Sequence, residues 1–273
     1  MNPGIAEAET ISLHLLQLTD PHLFADEREL LAGVNTVATW RSVLARVRET
    51  GTRPDAVLVT GDLVHDRQEA SYLRLRDDLQ ELGAPVYVLP GNHDDVAMLR
   101  RVFPEHGRVC WTPRVMLGGW LLVMLDSTVP GSPGGHLAQE ELDRLEAALC
   151  SEPQRPTLVA LHHQPVPMGS EWIDTIGVDN GGALMELLQR HPQVRVVLWG
   201  HVHQELDRLK GGLRLLATPS TCIQFRPGQR QFGLDDRAPG WRHLRLDGDG
   251  AVTTWVERLE RLPAGLDLDM RGY

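Results

Sequence analysis

Cysteine is scarce in this chain, with three in 273 residues (Cys110, Cys150 and Cys222), odd in number, widely spaced and without a CxxC pair. That fits reduced thiols in a cytosol, buried as small hydrophobes, better than a disulfide framework. Long apolar runs are missing as well. The longest, "VMLGGWLLVML" (115–125), is broken by Gly-Gly and is too short to span a bilayer. The opening "MNPGIAEAET" has neither a basic region nor an apolar segment, so no targeting signal is expected. A cytoplasmic protein with no membrane partner follows as the expectation. Positive charge is in the minority, 27 Lys and Arg against 37 Asp and Glu, and the net charge of −10 opposes binding to nucleic acid. What the chain does have is 42% hydrophobic residues, enough for a sizeable core, and twelve histidines.

Apolar runs of strand length alternate with helical patterns. The runs are "SLHLLQLTD" (12–20), "DAVLVTGD" (55–62), "APVYVLPGN" (84–92), "WLLVMLDST" (120–128), "PTLVALHH" (156–163) and "VRVVLWGH" (194–201). Near-continuous apolar runs of this kind predict strands covered on both faces. Residues 36–49, 69–82, 138–150 and 181–191 carry apolar positions three and four apart and predict helices. The order gives an α/β fold with a layered sheet. After Lys210 the runs shorten, and a Gly-Asp-Gly turn between "GWRHLRLDGDG" and "VTTWVERLE" predicts a hairpin.

Polar residues gather where these runs end. Asp20 and His22 follow the first, Asp62 the second, Asn92, His93 and Asp94 the third, His162 and His163 the fifth, and His201 and His203 the sixth. In open α/β sheets the ligand crevice lies at that edge. Singly these are turn formers or core histidines; together they are carboxylates, imidazoles and an amide oxygen with no thiolate, a donor set for Mn, Fe, Zn or another borderline ion. Asp-x-His and His-x-His would each aim two ligands at one centre if the chain there is extended, because residues i and i+2 point the same way. The ligands outnumber what one ion uses, and a pair of ions sharing a carboxylate is the natural count.

"DPH", "GD", "GNHD", "HH" and "GHVH", in this order, resemble the calcineurin-like metallophosphoesterase family over about residues 12–205. The resemblance implies a β-sandwich core flanked by helices on both sides. It places one ion on Asp20, His22, Asp62 and His203 and the other on Asp62, Asn92, His162 and His201, with Asp62 as the bridge. His162 is taken over His163 because the family's ligand usually comes first in that dipeptide. His93 would serve the leaving group with Asp94 or Asp95 orienting its ring, and a metal-bound hydroxide would attack phosphorus. Iron and manganese are expected ahead of zinc or cobalt. The implied layout is a flexible N-terminus (1–10), a catalytic domain (11–218) and a C-terminal extension (219–273) that carries the hairpin and packs on the same domain.

A narrower resemblance lies in "HHQPVPMGSEWIDTIGVDN" (162–180), "GHVHQELD" (200–207) and "ATPSTCIQFRPGQRQFGLDDRAPGWR" (217–242), which are similar to bacterial class III cyclic nucleotide phosphodiesterases. It implies hydrolysis of 3′,5′-cyclic AMP to 5′-AMP. His22, Asn92, His93 and His163 are then expected to touch substrate, with Trp172 and Phe225, alongside Met168, Thr221, Cys222 and Gln224, as a wall for the base. The alternative enzyme is a broad phosphodiesterase for 2′,3′-cyclic nucleotides or glycerophosphodiesters. A scaffold that has lost catalysis would lack some ligands, and this sequence keeps them all. A homodimer is left open as the assembly.

Overall fold

A computed structural model describes residues 12–272, so the expected flexible N-terminus at 1–10 lies outside the described residues. In chain order come β1 (Ser12–Leu18), the short β2 (Leu30–Leu31) and β3 (Val34–Asn35), α1 (Thr36–Glu49), β4 (Ala56–Thr60), α2 (Glu69–Gln80), β5 (Val86–Leu89), α3 (Val96–Val102), β6 (Val109–Cys110), β7 (Arg114–Leu117) and β8 (Trp120–Met124). There follow α4 (Gln139–Ser151), β9 (Thr157–Ala160), α5 (Glu171–Asp174), α6 (Gly181–Gln189), β10 (Val194–Trp199), β11 (Leu206–Lys210) and β12 (Leu213–Ala217). Last are β13 (Gln224–Phe225), β14 (Leu234–Asp235), β15 (Gly240–Asp247) and β16 (Val252–Arg258).

Each of the six apolar runs forms a strand, and the period of two explains why they are apolar throughout. In β1, Leu13 and Leu15 face one core while Leu16 and Leu18 face another. In β10, Val196 and Leu198 face inward while Val197 and Trp199 face out. The inward residues belong to two six-stranded mixed sheets packed face to face, β16-β15-β1-β4-β5-β6 and β11-β12-β10-β9-β8-β7. Helices α1, α2 and α3 cover the outer face of the first sheet, and α4 and α6 cover that of the second. The fold is therefore a mixed α/β sandwich with helices on both outer faces. Helix α1 runs over the predicted range, capped by Asn35, whose side chain accepts from the Ala38 N–H, with Val37, Trp40, Val43, Leu44 and Val47 buried. The seven-residue α3 was not anticipated, being too short to show a helical period.

Strands β1, β4 and β5 run parallel, as do β8, β9 and β10, so their C-terminal ends collect at one edge of the sandwich. The β15–β16 hairpin, with its turn at 248–251, joins the first sheet through antiparallel pairing of β15 with β1. Among the described residues no helix is long and apolar enough to cross a membrane.

Arg242 of β15 ties the two sheets together. Its side chain, 1% exposed, donates to the carbonyls of Leu206 (3.1 Å) and Ala217 (2.8 Å) in the second sheet and to the hydroxyls of Thr218 and Thr254, both at 3.0 Å. Burial pulls its pKa down to about 10, against the pull of Glu205 and Asp207. Arg242→Met leaves buried carbonyls without donors, which costs about 3 kcal/mol. We expect Tm in calorimetry to fall by roughly 6–12 °C; a change within 2 °C would remove Arg242 from this role.

Candidate metal centre

The strand ends turn sharply. Asp20, His22, Asp62, His201 and His203 all have left-handed backbones, with φ of 53, 48, 49, 62 and 47°. Each such residue costs about 1–2 kcal/mol outside glycine and persists only where its surroundings fix it. This corrects the expected extended i, i+2 pairs: the chain at Asp20-x-His22 and His201-x-His203 is not extended. The two rings of the second pair go to different neighbours, His201 to His162 (centroids 5.0 Å) and His203 to His22 (5.3 Å). Two glycines make room. A Cβ on Gly91 would lie 2.2 Å from Asp62 Oδ1 and 2.3 Å from its backbone N, and one on Gly200 2.1 Å from Thr19 Oγ1.

Asp62 sits where the sheets meet. Its Oδ2 lies 3.6 Å from His22 Nε2, delivered by the first sheet, and 3.4 Å from His162 Nε2, delivered by the second. His203 Nε2 lies 3.3 Å from Asp20 Oδ1 and 3.4 Å from His22 Nε2, and Asn92 Oδ1 lies 3.1 Å from His162 Nε2. Two donors each about 2.1 Å from one ion are about 3.0–3.4 Å apart, a range that holds four of these separations and that the Asp62–His22 pair exceeds by 0.2 Å. The outer nitrogens are committed: His162 Nδ1 donates to the Thr60 carbonyl at 2.8 Å and His203 Nδ1 to that of Ile223 at 2.7 Å, turning each Nε2 inward.

Electrostatics agree with a cation site. Burial opposes ionisation of Asp62, but His162 and His93 outweigh it and hold the carboxyl well below its usual range. Burial also opposes charge on His162, yet Asp62 lifts that imidazole to about 9, so a proton there balances the buried carboxylate, a balance that a metal ion takes over on binding. Burial drives His22 and His201 well below the ordinary histidine value and His163 to about 3, leaving them in the neutral form that ligates. His201 Nε2 is buried without a hydrogen-bond partner. Candidate ligand atoms group within 4.8 Å as Asp20, His22 and His203, as Asp20, Asp62 and His162, and as His162, His163 and His201. Two buried carboxylates and inward imidazoles fit a pair of cations.

The other anticipated residues fall at varied distances. His93 donates its backbone N–H to Asp62 Oδ1 at 2.9 Å, and its ring meets His22 edge-on at 4.9 Å. Asp94 is buried and accepts from the N–H groups of Leu63 (3.1 Å), Val64 (3.3 Å) and Gly91 (2.8 Å) and from the Tyr72 hydroxyl (3.2 Å), tying two strand-end loops together. Burial, then Asp62, raises its pKa to about 7. Asp95 caps α3. His163 stands beside His162 with Nδ1 2.8 Å from Ser127 Oγ. Phe225 is 3% exposed and stacks on His203 at 4.0 Å, while Trp172 meets Phe225 edge-on at 5.1 Å. Thr221, Cys222 and Gln224 are buried, and Met168 packs against the core. Sequence reasoning missed His65, whose Nδ1 lies 3.4 Å from His22 Nδ1 and whose ring stacks on His93 at 4.7 Å; a histidine three residues after Asp62 in the same loop was the available signal.

Calcineurin-like phosphoesterase is the family that matches this chain, over residues 13–205. The 3′,5′-cyclic adenosine monophosphate phosphodiesterase of Pseudomonas aeruginosa is 43% identical over 266 residues, covering 97% of each chain. The protein of that description from Escherichia coli is 42% identical over 262 residues, 96% of this chain and 95% of the relative. Among solved structures, a dimetal phosphatase from Danio rerio superposes with a TM-score of 0.62 at 14% identity, over 90% of this chain and 99% of its own, a likeness of fold.

Gly91→Ala tests the packing at Asp62. The added methyl displaces the carboxylate, so elemental analysis should find both metals lost while circular dichroism stays unchanged, whereas Gly182→Ala, which meets nothing within 4 Å, should keep them. Full metal content in Gly91→Ala would show that Asp62 does not need this clearance.

Proposed function

The chain belongs to the calcineurin-like phosphoesterase family, and from that premise we propose that it is a phosphodiesterase with a dinuclear metal centre that hydrolyses 3′,5′-cyclic AMP to 5′-AMP. The observation that carries the substrate is the reach of the likeness: it continues past residue 205, where the family match ends, through the C-terminal segment. The family implies the two metals; iron and manganese, ahead of zinc or cobalt, are our choice for these N and O donors.

Asp20, His22, Asp62 and His203 would hold one ion and Asp62, Asn92, His162 and His201 the other, a division that the position of Asp62 Oδ2 between His22 and His162 supports. Bound there, the cations supply an acidified water as nucleophile and a positive clamp for the phosphate oxygens. Water oxygen would add to phosphorus as the P–O3′ bond breaks in line, a ring nitrogen of His93 giving its proton to the departing 3′-oxygen and the proton shed by the water passing through solvent to restore His93 for the next turnover. His65, stacked on His93, fixes the plane of that ring. Asp94 acts at one remove by tying the loops that carry Asp62 and His93. Phe225 supports His203 and does not form an open wall.

Chromatography of a reaction with cyclic AMP should show 5′-AMP as the product. No 5′-AMP, under metal conditions where an aryl phosphodiester is turned over, favours the broad small-diester reading. His93→Ala should keep its metals and lose roughly 10²- to 10⁴-fold in kcat on cyclic AMP, with a smaller loss on nitrophenyl esters, whose leaving group needs no proton. An equal loss on both substrates would assign His93 to positioning.

A further inference from the structure

With Phe225 buried against His203, its ring face is spent, and the base of a cyclic nucleotide needs another place. Beside Asn92 lies a cavity of about 290 Å³ lined by Arg67, Asn92, Asp95, Thr128, Val129 and Pro130, among others. Three larger cavities, of about 600 Å³ between α1 and residues 259–264, about 500 Å³ around Arg100, Trp111 and Arg144 and about 310 Å³ around Glu152 and Arg155, include none of the candidate metal ligands. We propose that the Asn92 cavity receives the nucleoside half of the substrate and that Arg67 is its specificity-determining residue. The inference rests on the cyclic nucleotide reading above.

Position comes first. Asn92 borders both the cavity and the metal centre, so a phosphate at the metals has its substituents at the mouth of this space. Size agrees, because small-ligand sites run from roughly 300 to 1,000 Å³ and only the nucleoside needs housing here, the phosphate lying in the cleft. Arg67 supplies the contact. Its Nε donates to the His93 carbonyl at 2.8 Å and one terminal nitrogen to that of Asn92 at 3.1 Å, from a left-handed backbone with φ of 56°. An exposed arginine usually spends entropy when it binds; this one is already immobilised on the loop that carries the chemistry. A guanidinium fixed by two acceptors presents a flat cationic face for a purine and keeps three of its five N–H donors for ring nitrogens or ribose hydroxyls. Val129 and Pro130 add apolar surface to the same cavity.

The test uses the metal-loaded enzyme and two substrates, cyclic AMP and methyl nitrophenyl phosphate, which carries no nucleoside. Val129→Trp fills the cavity and Arg67→Met removes the cationic face. For each variant we expect KM for cyclic AMP to rise with its kcat nearly unchanged, so that the ratio of kcat/KM on cyclic AMP to that on the methyl aryl ester falls about tenfold or more, the size of 1.4 kcal/mol of lost contact; a fall carried by kcat instead points to a disturbed His93 and overturns the proposal. Equal proportional losses on both substrates, or no loss on either, overturn the proposal. Arg67→Met, at an exposed residue, decides the matter if tryptophan at 129 disturbs its loop. A wild-type enzyme that turns over the aryl ester and leaves cyclic AMP intact rejects the cyclic AMP reading itself, a failure distinct from an unchanged ratio in the variants.

Discussion

A single carboxylate, Asp62, is held between two sheets, and the rest of the centre is arranged around the difficulty of keeping it there. A buried carboxylate without compensation is prohibitively costly, so polar partners have to be brought to both of its sides, of which His162 carries the charge. The first sheet brings His22, the second His162, and the His93 backbone N–H takes the remaining oxygen. Around this carboxylate the polar groups collect at the strand ends, where the apolar sandwich stops. The bare backbone of Gly91 has this origin, since a Cβ there would lie 2.2 Å from Asp62 Oδ1.

The elements and the ligand types were legible because both rest on local rules. Leucines and valines on both faces of a strand make an unbroken apolar run, and a loop at the end of such a run is where a ligand crevice forms. The pairing of two sheets could not be read from those runs, since a residue facing the other sheet and one facing a helix are equally apolar. The aim of the side chains was hidden too. Asp-x-His looks like an extended pair in sequence, and its left-handed turn is imposed by contacts to residues about 40 and 180 positions away, such as the Asp20 N–H to the Gly61 carbonyl and the His201 N–H to the Asp20 carboxylate. Phe225 was expected in a wall for the base because an aromatic near a site reads the same whether it faces open space or, as here, the face of an imidazole.

The supporting layer of the centre comes largely from outside the five motifs. Ser220 Oγ donates to the Asp20 carbonyl at 2.8 Å, the Thr221 N–H to the Thr19 carbonyl at 3.0 Å, and the Ile223 carbonyl accepts from His203 Nδ1–H at 2.7 Å. Residues 220–225 thus fix the tautomer of one imidazole and the turn that presents one carboxylate. Orientation of the inner ligands by such partners commonly changes metal affinity 10- to 100-fold.

The central place of β1 carries a consequence for synthesis. One of its edges pairs with β4, only about 40 residues on, but the other is covered by β15, which begins at Gly240. At roughly 5–20 residues per second, about 220 residues separate the two by about 10–40 s. Through that interval the nascent first sheet offers an open row of backbone donors and acceptors beside an apolar face, the arrangement most prone to pairing with a neighbouring chain. Translation speed between β1 and β15, and chaperones that shield a half-built sheet, therefore act on the yield of this protein independently of the stability of its finished fold.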